Sequence, residues 1–347
     1  MKFSLFLHME RSDPTKPHKE LFDELVELTL MAEEAGFETV WIGEHHMMEF
    51  TISPNPLNFM AYLAPITKTI RLGLGTIVAP FWNPVRLASE ASLVDMMSNG
   101  RLDFGIARGA YQSEFDRMTD NMPAKEGGGP LREMIPALQK LWTGDYAHEG
   151  EHYSFPTSTA IPRVTQTPFP PMWVAAREQE SHDYAVSSDC NVMVTPLIAG
   201  DAVIEMASQR FKQACINNPD KPKPQLLALR HTWVHEEHED WRKGAQALRD
   251  WYGYFYAWFK NDQQPVDGFI KPLSDEQMSE MPGFGLDELH ENLLIGTPTE
   301  VTKRIKHYEA LGITQFSFWS DNGLPHAEKK KSLQLFIDKV MPNFNQE

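Results

Sequence analysis

The sequence contains only two cysteines in 347 residues, Cys190 and Cys215, and they form no metal-binding or redox pair motif. This usage argues against a disulfide framework and suits a reducing cytoplasm. Long apolar runs are missing as well. The first residues, MKFSLFLHMERSD, hold a short apolar stretch without a cleavage signal, and no segment approaches the ~18 apolar residues of a membrane helix. We therefore expect a cytoplasmic protein with no membrane partner.

Positive charge is scarce, because 32 Lys and Arg residues face 48 Asp and Glu residues, giving a net charge of −16. A surface of this charge should repel nucleic acid and anionic lipid, so we expect no nucleic-acid partner. Any phosphate on a ligand must be held by locally concentrated cations. The 41% hydrophobic content is too high for a disordered chain and predicts a folded core.

Strand-like and helix-like patterns alternate along the whole chain. The predicted strands are residues 3–8, 39–43, 70–79, 102–107, 172–176, 191–195, 225–234 and 315–319. The predicted helices are residues 19–35, 57–65, 84–99, 131–142, 180–187, 202–216, 239–260, 299–311 and 329–341. Eight strands with intervening helices and no linker predict one α/β domain over residues 1–347, a single (β/α)₈ TIM barrel.

A doubly wound sheet is the alternative architecture. It predicts a glycine-rich dinucleotide turn after the first strand, whereas the segment there, HMERSDPTKP, contains no glycine. The barrel is therefore favoured.

Two insertions interrupt the regular pattern. After the fourth strand, residues 118–130 with their Gly-Gly-Gly run predict an irregular loop, and residues 144–171 predict an insertion with a small hairpin. After the seventh strand, an aromatic-rich helix precedes residues 261–285, which are rich in Pro and Gly. We expect this last segment to form a mobile lid.

The stretch TVWIGEHHMM, residues 39–48, ends a predicted strand with Gly43 and then places Glu44, His45 and His46 in a row. In a parallel barrel this strand end faces the active site. The residues alone leave two other readings open. The histidines can simply cap the strand, or Glu44, His45 and His46 can be ligands of a metal-dependent hydrolase, with His8 at the end of the first strand as one further ligand.

Four blocks carry a resemblance to a known family: AEEAGFETVWIGEHH, RLGLGTIVAPFWNPVRLASEASLVDMMSNGRLDFGIARGAYQSEF, PMWVAAREQESHDYA and IGTPTEVTKRIKHYEALGI. In this order they resemble the bacterial luciferase-like, flavin-dependent monooxygenases, and in particular the catalytic alpha subunit of luciferase. The resemblance implies a (β/α)₈ barrel that inserts one oxygen atom from O₂ into a small organic substrate through a peroxyflavin. It also implies reduced FMN supplied by a separate NAD(P)H:flavin reductase, no resident metal, and a homodimer. A deazaflavin-dependent oxidoreductase of the same superfamily stays open as the alternative.

The resemblance also implies a set of site residues. His45 matches the catalytic histidine beside the flavin ring, with Glu44 as its neighbour in the motif. The flavin phosphate positions fall on Arg108, Arg132, Arg177, Glu178 and Ser181, although Arg108 and Arg132 could also be ordinary surface cations. The third strand is expected to carry a non-proline cis peptide at or beside Gly75-Thr76, on the wall that faces the flavin.

Several positions depart from the luciferase pattern. Ala107 replaces a reactive cysteine, which leaves light emission in doubt, and Phe255 stands where luciferase has an active-site tryptophan. Phe81 is bulkier than usual near the substrate cavity, and Tyr111 is a further expected cavity residue. The sequence does not name the substrate, since aldehydes, ketones, terpenes, sulfur compounds and aromatic rings are all oxidised within the family.

Overall fold

The strands of the computed structural model, which describes residues 1–344, are numbered in chain order. They are β1 (Lys2–Leu7), β2 (Thr39–Ile42), β3 (Arg71–Leu74), β4 (Ile77–Val78), β5 (Leu102–Ala107), β6 (Tyr146–Glu149), β7 (Ser154–Ser158), β8 (Met172–Ala175), β9 (Asn191–Val194), β10 (Leu226–Val234), β11 (Leu294–Gly296) and β12 (Gln315–Trp319).

Parallel pairing closes eight of these strands into a barrel. β1 pairs with β2 on one side and with β12 on the other, and β10 joins β12 to β9. The remaining neighbours are β2 with β3, β3 with β5, β5 with β8, and β8 with β9. The predicted (β/α)₈ barrel is therefore confirmed, and the carboxyl ends of its strands meet at one face.

The helices surround the barrel. They are α1 (His18–Glu34), α2 (Pro56–Leu63), α3 (Pro84–Met97), α4 (Gln112–Met118), α5 (Gly128–Thr143), α6 (Gln179–Ser187), α7 (Asp201–Asn217), α8 (Arg242–Lys260), α9 (Asp275–Ser279), α10 (Leu286–Asn292), α11 (Pro298–Leu311) and α12 (His326–Leu335), which is followed by a π-helical turn over Phe336–Val340. None of the helices within residues 1–344 is both long and apolar enough to cross a bilayer.

Side chains at the helix starts explain several boundaries. Asn55, Asn83 and Thr297 accept hydrogen bonds from the first free backbone N–H groups of α2, α3 and α11. A proline follows each of them, at the helical position where a missing N–H costs nothing. These three helix starts are thus encoded locally.

Apolar side chains form two clusters. One lies between the sheet and the surrounding helices, and the other fills the interior at the carboxyl end of the barrel and extends to α8. Gly73 of β3 leaves room for the Trp41 indole, because a Cβ atom at Gly73 would lie 2.2 Å from that ring. Only glycine allows Trp41 to pack across β3.

The predicted continuous strand over residues 70–79 is wrong in one respect. It is divided into β3 and β4, and the Gly75–Thr76 peptide between them is cis, as predicted. β4 continues along β5, with Ile77 opposite Ile106, so the chain keeps its barrel position after the break.

The glycine run is also more ordered than the sequence predicts, since α5 begins at Gly128 and includes Gly129 and Pro130. A Cβ at Gly127 would meet the Arg108 carbonyl oxygen at 2.2 Å, and one at Gly129 would meet the His152 ring at 2.3 Å. Close packing against two neighbouring segments therefore explains the glycines better than flexibility does. The predicted hairpin is confirmed by the antiparallel pair β6 and β7.

The long insertion after β10 contains more structure than predicted. Besides α8 it holds α9, α10 and β11, and Ser274 caps α9 in a reciprocal capping box with Gln277. Within residues 261–285, Leu273, Met278 and Phe284 are buried in the same apolar cluster as α8. The sequence pattern missed this order because the apolar positions are too few to show a helical period.

Candidate active site

A cavity of about 350 Å³ opens at the carboxyl ends of the barrel strands. Its lining includes at least one residue from each of the eight barrel strands or from the segment that follows it: His8, His45, Thr76, Arg108, Ala176, Thr195, Leu229 and Trp319. Most of the lining is apolar, with a few polar groups among the apolar ones. This is the arrangement expected for a small-molecule site in such a barrel.

His45 stands on the wall of this cavity and is held by Glu114 of α4. Its Nδ1 lies 3.2 Å from Glu114 Oε1, and the same oxygen accepts the His46 backbone N–H at 2.7 Å. Because a carboxylate only accepts, this contact places a proton on Nδ1 and leaves Nε2 free for a ligand. The His45 side chain is 19% exposed, whereas Glu114 is buried.

Glu44 also lines the cavity, but its carboxylate is fully engaged by the protein. It accepts hydrogen bonds from the Val78 backbone N–H at 2.7 Å and from the Trp82 indole at 2.9 Å, and it contacts His46 Nε2 at 2.8 Å. These bonds tie the loop after β2 to β4 and the turn that follows it. The geometry makes Glu44 a residue that positions the loop carrying His45.

An aromatic wall faces His45. The Tyr111 ring lies 5.3 Å from the His45 ring, 4.5 Å from Phe259 and 5.8 Å from Phe255, and all three aromatic residues line the cavity. Within residues 1–344, the buried Tyr111 hydroxyl has no hydrogen-bond partner. Burial and the nearby Glu114 charge raise its pKa well above the ordinary value, so it stays a neutral donor.

Two arginines lie at the mouth of the cavity. Arg108 follows β5 and is exposed, and its guanidinium makes one weak contact of 3.4 Å with the Lys125 carbonyl oxygen. Among the described residues no carboxylate forms an ion pair with it. Arg177 follows β8, its side chain is 92% exposed, and Glu178 lies 3.8 Å away. Both guanidinium groups are therefore available to an anion at the mouth.

The other predicted phosphate residues lie next to this mouth and do not line the cavity itself. The Ser181 hydroxyl accepts the Arg177 backbone N–H at 3.0 Å and donates to the Glu178 carbonyl at 2.7 Å at the start of α6. The Glu178 carboxylate pairs with Arg210 at 2.9 Å, and Arg132 pairs with Glu180 at 2.5 Å. A phosphate bound by Arg132 would have to displace Glu180.

Phe81 lies behind the cavity wall. Its ring contacts His46 at 5.4 Å and Phe115 at 5.1 Å, so it reaches the site only through the loop of His45. Ala107, Phe255 and the Gly75-Thr76 pair do line the cavity.

The residues present fit a flavin mononucleotide. Two exposed guanidinium groups and the N-terminus of α6, which has no side-chain cap, suit a phosphate at the mouth. The orphaned Tyr111 hydroxyl and the free His45 Nε2 can bond polar atoms of a ring system inside.

Sequence reasoning missed three site residues, namely Glu114, Phe259 and Trp319, and considered His8 only as a metal ligand. Trp319 and His8 end β12 and β1, so the strand-end rule could have identified them. Glu114 lies within the RGAYQSEF block, three residues after Tyr111, but no sequence signal shows that its carboxylate turns back to His45.

The metal-ligand alternative finds no geometric support. Within the part of the chain that the structure describes, no group of three His, Cys, Asp or Glu side chains is arranged to hold a metal ion. Instead His45 and His46 contact different carboxylates, Glu114 and Glu44.

Comparisons with known proteins agree with one family. The family model described as luciferase-like monooxygenase matches residues 1–315. The flavin-dependent trigonelline monooxygenase oxygenase component of Acinetobacter baylyi is 48% identical over 346 residues, covering 100% of this chain and 96% of that protein. The alkanal monooxygenase alpha chain of Photorhabdus laumondii is 27% identical, covering 99% of this chain and 97% of that protein.

Two solved structures share the fold. The monooxygenase RslO1 from Streptomyces bottropensis superposes with a TM-score of 0.83 at 25% identity, covering 99% of this chain and 100% of that chain. The oxygenating constituent of 3,6-diketocamphane monooxygenase from Pseudomonas putida, solved in complex with FMN, gives a TM-score of 0.76 at 18% identity, covering 100% of this chain and 99% of that chain.

Proposed function

The chain belongs to the luciferase-like monooxygenases and is a flavin-dependent oxygenase, and from this premise we propose how its residues use reduced FMN and which substrate they accept. The observation that carries the proposal is the His45–Glu114 pair on the wall of a largely apolar cavity whose mouth holds two exposed arginines. It combines a proton-transfer group, a water-poor chamber and an anion site within one barrel end.

We assign the FMN phosphate to Arg108 and Arg177 at the mouth, with the start of α6 and Ser181 as further donors. Arg132 and Glu178 lie beside this site in ion pairs with Glu180 and Arg210, so a phosphate contact of Arg132 requires that Glu180 move away. The ring would then lie against Gly75-Thr76, where the cis peptide shapes the wall. Reduced FMN, when bound, supplies the electrons that divide O₂ between the substrate and water.

The chain's own residues supply positioning and protons. His45 Nε2 points away from Glu114 and can hold or release a proton at the reacting oxygen, while Glu114 stabilises the charged imidazole. Glu44 fixes the loop on which His45 stands, so we assign it a positioning role. Tyr111, Phe255 and Phe259 exclude water from the chamber.

A separate NAD(P)H:flavin reductase supplies the reduced cofactor in this proposal. The relative from Acinetobacter is named an oxygenase component, which supports a two-component system. The deazaflavin alternative has weaker support, since the relative at 48% identity is flavin-dependent.

For the substrate we infer a small planar N-heterocycle with a fixed positive charge, of the class to which trigonelline belongs. Trigonelline is N-methylnicotinate, which carries a quaternary ring nitrogen and a carboxylate. The rings of Tyr111, Phe255, Phe259 and Trp319 line the cavity and can face such a cation. A cation over an aromatic face gains about 0.5–2 kcal/mol when desolvated. A neutral aldehyde would gain none of this.

A matched substrate panel tests this assignment. Oxygen uptake and product mass are measured with photoreduced FMN and N-methylnicotinate, nicotinate, N-methylpyridinium or a long-chain aldehyde. We expect turnover with N-methylnicotinate and little with nicotinate, which keeps the ring and carboxylate but loses the fixed charge. Equal turnover of nicotinate would refute the charge requirement, and turnover of the aldehyde alone would show a luciferase-like substrate.

We propose that residues 261–285 act as a lid that moves over the mouth when flavin is bound. None of these residues lines the cavity in the structure, and the segment is held near it by the Glu49 N–H bond to the Gly268 carbonyl at 2.9 Å. Limited proteolysis with and without reduced FMN is the test. Protection of this segment by FMN is expected, and equal cleavage would contradict the lid.

We also propose a homodimer through α1, α2 and α3. Exposed apolar side chains cluster on these helices and the turn after α2: Leu30, Tyr62, Ile66, Leu93, Met96 and Met97. Light scattering should report two chains, and Met97→Glu should give monomers if this face pairs. The free Cys190 and Cys215 are compatible with the cytoplasmic location that we propose.

A further inference from the structure

A second cavity, of about 270 Å³, lies next to the active site but has a different lining. Its lining includes Glu10 and Ser12 from the loop after β1, and Lys243 and Asp250 from α8. His8 lines the active-site cavity, whereas Glu10, two residues later, lines the second one. The two chambers therefore meet at a pair of buried titratable side chains.

The geometry of this pair is unusual for a structural contact. His8 Nδ1 is fully buried and, within residues 1–344, has no hydrogen-bond partner. Glu10 Oε1 lies 3.9 Å from His8 Nδ1 and accepts the Trp251 indole N–H. A shift of ~1 Å would bring the carboxyl group into hydrogen-bond range of His8. An unpaired buried polar atom of this kind calls for a functional explanation.

Burial and the charge of Asp321 oppose the ionised form of Glu10. Asp321 and Glu10 share the largely buried Lys329, whose Nζ lies 3.2 Å from Asp321 and 3.8 Å from Glu10. Asp321 also accepts the His8 backbone N–H at 2.5 Å. Burial, followed by the Asp321 charge, raises the pKa of Glu10 well above its ordinary value, against the opposing effects of Lys329 and of the hydrogen bond from Trp251. Burial lowers the pKa of Lys329, but the nearby carboxylates, Asp321 first among them, together outweigh burial, so this pKa is raised.

The pKa of His8 is shifted in the opposite direction. Burial, followed by the charges of His45, His231 and Lys329, lowers its pKa well below the ordinary value, so its ring is neutral and one nitrogen is an acceptor. Its ring lies 5.4 Å from the ring of His45. A carboxyl group whose pKa is raised thus stands beside an imidazole whose pKa is lowered, and the imidazole lines the active-site cavity.

We propose that Glu10 and His8 form a proton relay that carries protons from the second cavity into the active site. The relay rests on the oxygenase function proposed above. When the reduced flavin is a monoanion, insertion of one oxygen atom from O₂ consumes one proton, because the other oxygen atom leaves as water. In the relay, Glu10 rests protonated and His8 rests as the Nε2–H tautomer. Glu10 gives its proton to His8 Nδ1, His8 releases the proton on Nε2 into the active site, and solvent reprotonates Glu10 through the second cavity. A half-turn of the His8 ring then restores the starting tautomer, and no step changes a bond to carbon.

The first test needs neither flavin nor turnover. Infrared spectra of the cofactor-free protein at neutral pH should contain the carbonyl band of a buried protonated carboxyl group. The band should vanish in Glu10→Gln, which keeps an acceptor for Trp251, and persist in Asp250→Asn, which removes an exposed carboxylate from the same cavity. Absence of the band in the unmodified protein, or its persistence in Glu10→Gln, would overturn the relay.

The second test uses the reconstituted oxygenase. Glu10→Gln should lower product formation about tenfold, change its pH profile and raise its solvent isotope effect, with flavin affinity unchanged within about twofold. Acetate should restore part of the rate of Glu10→Ala, because the second cavity can admit a small carboxylic acid. Asp240→Asn, which removes an exposed carboxylate outside the second cavity, should match the unmodified chain. A Glu10→Gln variant with an unaltered rate and pH profile would overturn the relay. An unmodified chain that oxygenates no substrate would refute the proposed function instead. The infrared test does not depend on the proposed function, so the two failures can be told apart.

Discussion

Replacing Glu114 by glutamine should separate proton handling from flavin binding. Glu114 is buried, and one of its oxygens accepts both His45 Nδ1 at 3.2 Å and the His46 backbone N–H at 2.7 Å. Glutamine keeps the shape but removes the negative charge that stabilises a protonated His45. Hydrogen bonds to charged groups contribute about 1.5–3 kcal/mol, so product formation should fall roughly 10- to 100-fold.

The assay is single-turnover product formation with photoreduced FMN, with FMN affinity measured in parallel. Affinity should change by less than about twofold, since among residues 1–344 Glu114 forms no ion pair with Arg108 or Arg177. The matched control is Asp116→Asn, which removes an exposed carboxylate from the same helix, α4. Equal rates of product formation by Glu114→Gln and Asp116→Asn would refute this role of Glu114. So would a Glu114→Gln variant that loses FMN affinity but keeps its rate of product formation.

Three further outcomes follow from the structure. Arg108→Ala should weaken FMN binding by about 1–2 kcal/mol in a titration, and saturating FMN should recover much of the rate. The control Arg117→Ala, on α4, should bind FMN with unchanged affinity. Equal FMN affinities of the two variants would remove Arg108 from the phosphate site. With NADH and oxidised FMN alone the chain should turn over little, and an added unrelated flavin reductase should restore product; efficient NADH oxidation by the isolated chain would contradict a two-component system. Gly73→Ala should lower the free energy of unfolding in urea by about 1–3 kcal/mol, because the new Cβ would lie 2.2 Å from the Trp41 indole. In the control Gly144→Ala the new Cβ has no atom within 4 Å, so the free energy of unfolding should not change. A Gly73→Ala variant of unchanged stability would show that β3 can move away from Trp41.

Much of the barrel could be predicted because its signals are local. Alternating strand and helix patterns, with Asn83 before Pro84 and Thr297 before Pro298, depend on neighbouring residues alone. The wrong predictions concern segments whose local structure depends on contacts with residues distant in sequence. Gly128 and Gly129 read as a loop but form the first turn of α5, where a Cβ at Gly129 would meet the His152 ring at 2.3 Å.

The candidate site divides in the same way. Strand-end residues such as His45 and Arg108 could be predicted, since a parallel barrel collects them at one face. The partners that orient them could not. Glu114 reaches His45 across 69 residues of sequence, and Trp251 reaches Glu10 across 241. Neither pairing follows from a pattern in one segment of the chain.

The central claim, that the barrel inserts an oxygen atom from O₂ into a cationic N-heterocycle with reduced FMN, is tested most directly by isotope labelling. The purified chain is mixed with photoreduced FMN and N-methylnicotinate under heavy-isotope O₂ in ordinary water, and the product is analysed by mass spectrometry. The account predicts a product with one heavy oxygen atom from O₂, formed only when both the chain and reduced FMN are present. A product that takes its new oxygen from water, or that forms equally without O₂, would contradict it.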